Sequence, residues 1–114
     1  MVDQKGKVFL LGSESIGRGD DNLGYEILMS LLKSLTERED SPRAIVFWNT
    51  GVNLLTKDSP VAPYLKLLEE KGVQLLAGQL CVRELGLTDK IIVGRLATMG
   101  EILDVLLNYE VVAL

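Results

Sequence analysis

The sequence predicts an α/β fold, a three-layer α/β/α sandwich around a mostly parallel five-stranded sheet. Three observations carry that prediction. Five short apolar segments recur along the 114 residues, and the first four are nearly continuous in apolar residues, as in strands covered on both faces. Stretches with apolar residues at helical spacing lie between them. The resulting β-α order implies right-handed crossovers, which place helices against the faces of the sheet.

The elements follow in chain order. "KVFLLG" (7–12) is the first strand. After it, "SESIGRGDDN" (13–22) turns the chain, with Gly17 and Gly19 suited to positive-φ positions. Asp20 and Asp21 are expected to cap the next helix and face its positive end, with Asn22 as a rival cap. That helix carries an i, i+3, i+4, i+7 stripe of Leu28, Leu31, Leu32 and Leu35. "RAIVFWN" (43–49) is the second strand. A helix with Val61, Leu65 and Leu68 on one face is expected to start at Ser59 as N-cap and Pro60 as first helical residue. "VQLLA" (73–77) is the third strand, and "CVREL" (81–85) a short helical turn ended by Gly86. "KIIVG" (90–94) reads as the fourth strand. "TMGE" (98–101) fits a capping box for a helix bearing Met99, Ile102, Leu103 and Leu106. "YEVVAL" (109–114) is the fifth strand.

The chain contains no repeat, low-complexity stretch or linker, so residues 1–114 are expected to form one domain. At that size about two-thirds of the unfolded chain's surface becomes buried. A formal charge of −4, with 12 Lys and Arg scattered among 16 acids, leaves no basic stripe for nucleic acid. Hydrophobic residues make up 47% of the chain, yet no apolar run reaches the roughly 18 residues of a membrane-spanning helix. The apolar run near the start is too short for the central region of a signal peptide, and a cytoplasmic location is expected. One cysteine and no histidine remove an internal disulfide, cysteine- or histidine-cluster zinc sites and any mechanism with a histidine base. No cofactor is expected.

Ligands of open parallel sheets bind beyond the carboxyl ends of the strands. The expected cleft residues there are Gly17, Arg18, Gly19, Asp20, Asn49, Thr50, Gly51 and Gly78, around Cys81. The glycine spacing after the first strand is neither G-x-G-x-x-G nor a P-loop, and two aspartates stand where a phosphate would have to sit. Nucleotide binding is therefore disfavoured. Arg18 is left between pairing with an acid and pointing into the cleft. "NTG" (49–51) is ordinary turn chemistry or a polar cleft wall.

Cys81 is the one strong nucleophile candidate. Free cysteines are most often small buried hydrophobes. This one falls at a strand's carboxyl end and at the expected start of a helical turn, where free N–H groups favour a thiolate. A lone thiolate cannot run dithiol chemistry, but it can accept and pass on a sulfane sulfur.

"SIGRGDDNLG" after the first strand, "NTGV" after the second and "CVRELGL" after the third together resemble the DsrE-like family, closest to the C-terminal domain of YedF-type proteins. The resemblance covers essentially the whole chain. It implies a five-stranded parallel DsrE/F-like fold, homo-oligomers, and persulfide carriage by a cysteine in the loop after strand three, which corresponds to Cys81. It also brings in selenium as an alternative cargo. Where YedF-type sequences commonly hold a second cysteine, three positions earlier, this chain has Gly78. YedF-type proteins usually carry an N-terminal TusA-like domain; here a relay is expected to use a separate TusA-like partner. The leading expectation is a small sulfurtransferase-like protein loading persulfide sulfur on Cys81. The competing one is a noncatalytic DsrE-fold module that binds a small ligand or a protein. "VNLL" (52–55) and "YEVVAL" (109–114) are candidate subunit surfaces.

Overall fold

The structure, a computed structural model, describes residues 6–114. Residues 1–5, part of the expected 1–114 domain and of the start read against a signal peptide, lie outside them. Five strands, β1 (Lys7–Leu11), β2 (Ala44–Phe47), β3 (Gln74–Gly78), β4 (Arg95–Ala97) and β5 (Glu110–Ala113), form one sheet in the order β4-β3-β2-β1-β5. Every neighbouring pair is parallel. The helices are α1 (Asp21–Thr36), α2 (Ala62–Glu70), α3 (Gln79–Glu84) and α4 (Met99–Leu106), and a 3-10 segment covers Asn49–Leu55.

Side chains alternate across the strands into two apolar clusters. Leu11, Ile45, Phe47, Leu75 and Ala77 meet Leu28 and Leu32 of α1 and Leu65 and Leu68 of α2 on one face. Val8, Ala44, Val46, Leu76 and Ala97 meet Ile102 of α4 on the other. β2 is buried throughout, which is why its sequence shows no polar alternation. Of the α4 stripe, Ile102 is buried against the sheet at 1% exposure, while Met99 and Leu103 are 55% and 43% exposed.

Local chemistry sets the starts of α1 and α4 as expected. Asp20 Oδ1 accepts from the Leu23 N–H at 3.0 Å and so caps α1. Thr98 Oγ1 accepts from the Glu101 N–H at 3.2 Å while Glu101 Oε1 accepts from the Thr98 N–H at 2.9 Å, completing the capping box. Gly17, Gly19 and Gly86 all have positive φ.

Three expectations are corrected. The fourth strand is Arg95–Ala97 rather than 90–94. Gly94, at φ +81°, turns so close to Leu75 that an added Cβ would lie 2.8 Å from its carbonyl oxygen, and pairing with β3 begins only after that turn, at Arg95. Val93 is buried in the α1–α2 cluster and Ile91 packs against it; Ile91 also makes an isolated antiparallel bridge to Thr56. Their apolarity reflects burial in a connection. Helix α2 starts at Ala62 rather than Pro60, with Pro63 in its first turn. Ser59 instead organises the preceding turn, its Oγ accepting from the Val61 N–H at 3.3 Å. Finally, "VNLL" is not open surface: Val52, Leu54 and Leu55 are at most 1% exposed. No helix among the described residues is long and apolar enough to cross a membrane.

Candidate functional site

Cys81 lies in the first turn of α3, just beyond the carboxyl end of β3. The helix starts two residues before the expected turn. Cys81 is therefore inside the helix, and the group that reaches its sulfur comes from elsewhere. The backbone N–H of Asn49 donates to Sγ over 3.1 Å. Asn49 has φ +50°, and it is the only non-glycine residue with positive φ among the described residues. Asparagine tolerates that left-handed geometry better than most residues. It lets the chain leave β2 and enter the 3-10 segment with this amide directed at the half-buried thiol.

The 3-10 segment packs tightly because of Gly51. A Cβ there would lie 2.5 Å from the Leu11 carbonyl oxygen, so the close approach of the loop to β1 requires glycine. Gly51 is thus a packing residue. Thr50 is exposed, and its carbonyl accepts from Asn53 Nδ2 at 3.1 Å.

A hollow of about 570 Å³ opens beside the thiol, with Trp48, Leu80, Leu85, Ala97, Met99 and Ile102 as its apolar wall. Asn49, Gly78, Gln79 and Glu84 complete the lining with Cys81. Of the expected cleft residues, Asn49 and Gly78 are brought to the thiol. Gly17 and Arg18 are not, because β1 pairs with β5 on the side away from β3. They line a separate shallow hollow with Ile16, Ile27, Ala113 and Leu114. Gly19 and Asp20 belong to the turn and cap of α1. A larger hollow of about 650 Å³, lined by Glu14, Tyr25, Lys57 and Asp58 among others, contains no cysteine. Burial there, with Glu14 nearby, pushes the Tyr25 hydroxyl above its ordinary pKa.

Among the described residues no group of three or more His, Cys, Asp or Glu side chains is placed to hold a metal ion. The wall residues Trp48, Leu80, Met99 and Ile102 were missed by sequence reasoning, since apolar residues at helical or strand spacing look like ordinary core. The adjacency of Trp48 to Asn49 at the end of β2 was the available signal.

The chain matches the DsrE/DsrF-like family over residues 6–113. It belongs to that family. Families of this kind are often related to sulfur relay. The DsrE/DsrF-like fold is shared with the protein of unknown function MTH1491 of Methanobacterium thermoautotrophicum, at 23% identity and TM-score 0.68, covering 95% of this chain and 97% of that one. The ychN protein of E. coli aligns at 11% identity and TM-score 0.67 over 96% and 99% of the two chains. Protein BT1422 of Bacteroides thetaiotaomicron, described as conserved and of unknown function, aligns at 18% identity and TM-score 0.65 over 97% of each. At these identities the likeness concerns the fold alone. No curated protein matches the chain.

Proposed function

We propose that this DsrE/DsrF-like protein is a single-cysteine sulfur carrier. The Cys81 thiolate attacks the outer sulfur of a persulfide R–S–SH, forming Cys81–S–SH and releasing R–S⁻. An acceptor thiolate then attacks the same outer sulfur, forming its own persulfide and returning Cys81 as thiolate. No metal, oxidant or histidine is needed. The observation that carries this reading is the Asn49 N–H donating to Sγ at 3.1 Å beside an open hollow, since it favours the anion at both stages. Asn49 acts as a positioning and stabilising group, and Gly78 leaves the neighbouring position without a thiol that would resolve the persulfide.

The finer likeness to YedF-type proteins rests on the three sequence motifs, and with it selenium as cargo and a separate TusA-like carrier as partner. Homo-oligomer formation is supported by the surface around α4 and the edge strand β5, where Leu103, Leu107 and Val111 are 43%, 79% and 37% exposed.

Intact-protein mass spectrometry after incubation with a persulfide donor, beside Cys81→Ala, tests the reading. A reducible gain of one sulfur atom on the native protein alone, passed on to a thiol acceptor, is the expected result. A Cys81 that stays unloaded and unreactive until the protein is denatured overturns it. The apolar hollow favours the second reading, a noncatalytic binding module, and under that reading Cys81→Ser keeps full function.

A further inference from the structure

We propose that the hollow beside Cys81 selects the sulfur donor: the group R of R–S–SH is uncharged and apolar, of aryl or branched-alkyl type, and anionic donors are discriminated against. The inference rests on the carrier reading for its chemistry but on separate observations for its selectivity. The hollow, at about 570 Å³, falls within the range of sites that enclose small molecules. Its wall is Trp48, Leu80, Leu85, Ala97, Met99 and Ile102, and Leu80, Leu85 and Met99 remain 57%, 44% and 55% exposed. These side chains present apolar surface that a substituent on sulfur would cover.

Charge decides the class. Besides the thiol, Glu84 is the only ionisable side chain lining the hollow among the described residues. None of the described lysines or arginines lines it. A glutathione-type donor or thiosulfate would bring carboxylates or sulfonate-like oxygens to a surface with no cation to pair them and with one carboxylate of the same sign. An uncharged aromatic group would instead lie against Trp48 and Met99, where ring and thioether contacts are favourable. With R held there, its sulfane sulfur meets Sγ, and the departing R–S⁻ takes its proton from solvent.

The test compares benzyl hydropersulfide with glutathione persulfide as donors, each loading rate on Cys81 divided by that donor's rate on N-acetylcysteine to remove intrinsic reactivity. The expected result is a normalised preference of at least tenfold for the benzyl donor, reduced several-fold by Met99→Lys, which adds a cation at an exposed rim position. Trp48 is the chain's single tryptophan, so its emission reports occupancy without sulfur chemistry. In Cys81→Ala, benzyl methyl sulfide should shift that emission saturably and S-methylglutathione should not. Equal normalised loading by both donors overturns the selectivity and leaves the carrier reading standing. If neither donor loads Cys81 while the thioether still shifts Trp48, the selectivity of the hollow is supported and the carrier reading fails. Trp48 emission that follows protein concentration and ignores both thioethers overturns the proposal, because a second copy then covers the hollow.

Discussion

The backbone amide of Asn49 donates to Cys81 Sγ across a sequence separation of 32 residues, tying the end of β2 to the first turn of α3. Two strands that are neighbours in the sheet thereby bring a backbone N–H donor to the one thiol of the chain. The contact depends on a left-handed residue at position 49, which makes it testable apart from the thiol itself.

Asn49→Gly keeps both the amide and access to positive φ, so Cys81 alkylation by iodoacetamide at pH 7 should stay within about twofold of the native rate. Asn49→Val keeps the amide but places a β-branched residue where left-handed geometry costs about 1–2 kcal/mol. Alkylation should slow several-fold as the N–H moves off Sγ, with a melting temperature measured alongside to separate local from global change. Equal rates in all three proteins would remove Asn49 from the mechanism.

A Cβ added at Gly78 would sit 3.5 Å from Cys81 Sγ and from the Phe47 carbonyl oxygen, ordinary contact distances, and φ −58° suits any L residue. Gly78→Cys should therefore fold and place two thiols within disulfide reach. After persulfide loading, the added thiol attacks the inner sulfur of Cys81–S–SH, forms a disulfide and releases HS⁻. The expected outcome is sulfide release from the variant and a stable persulfide in the native protein, read by a sulfide assay and non-reducing mass spectrometry.

Gly51 and Gly100 make a stability pair. Gly51→Ala drives a Cβ to 2.5 Å from the Leu11 carbonyl oxygen, so urea unfolding should show a loss of about 1–3 kcal/mol. A Cβ at Gly100 meets only Thr98 Oγ1, at 3.8 Å, within helix α4. Gly100→Ala should stabilise by about 0.4–1 kcal/mol.

The Thr98 N–H, and then Arg95 at 3.2 Å, hold the Glu101 carboxyl below its ordinary pKa. A folded-state value lower than the unfolded one, about 4.3 for glutamate, stabilises the fold above the unfolded value. That stabilisation disappears as pH falls through the folded value. Glu101→Gln should thus melt lower than the native protein at pH 7, and the gap should narrow once the pH is taken below that unfolded value. Denaturant melts at the two pH values check this.

Much of this architecture is legible one residue at a time. The continuous apolarity of "AIVF" in β2 reports burial on both faces, the stripe containing Leu28 and Leu32 reports a helix lying on the sheet, and Thr98 with Glu101 writes its own helix start. These signals are local, because hydrogen bonding and side-chain periodicity act over a few residues. The misplacement of β4 had a local cause as well: the burial of Val93 outside the sheet looks identical, in sequence, to burial within it.

The sequence by itself determined the α/β class, the caps of α1 and α4, the lone thiol at a strand's carboxyl end and the absence of histidine chemistry. Only the tertiary structure decided what surrounds that thiol. Strand order put Arg18 on the far side of β1, the left-handed turn at Asn49 aimed an amide at Sγ, and the packing of α4 against β4 and β3 brought Met99 and Ile102 to the hollow beside Trp48. Each of these depends on segments distant in the chain, and no local pattern encodes which of them meet once crossovers set the order of the strands.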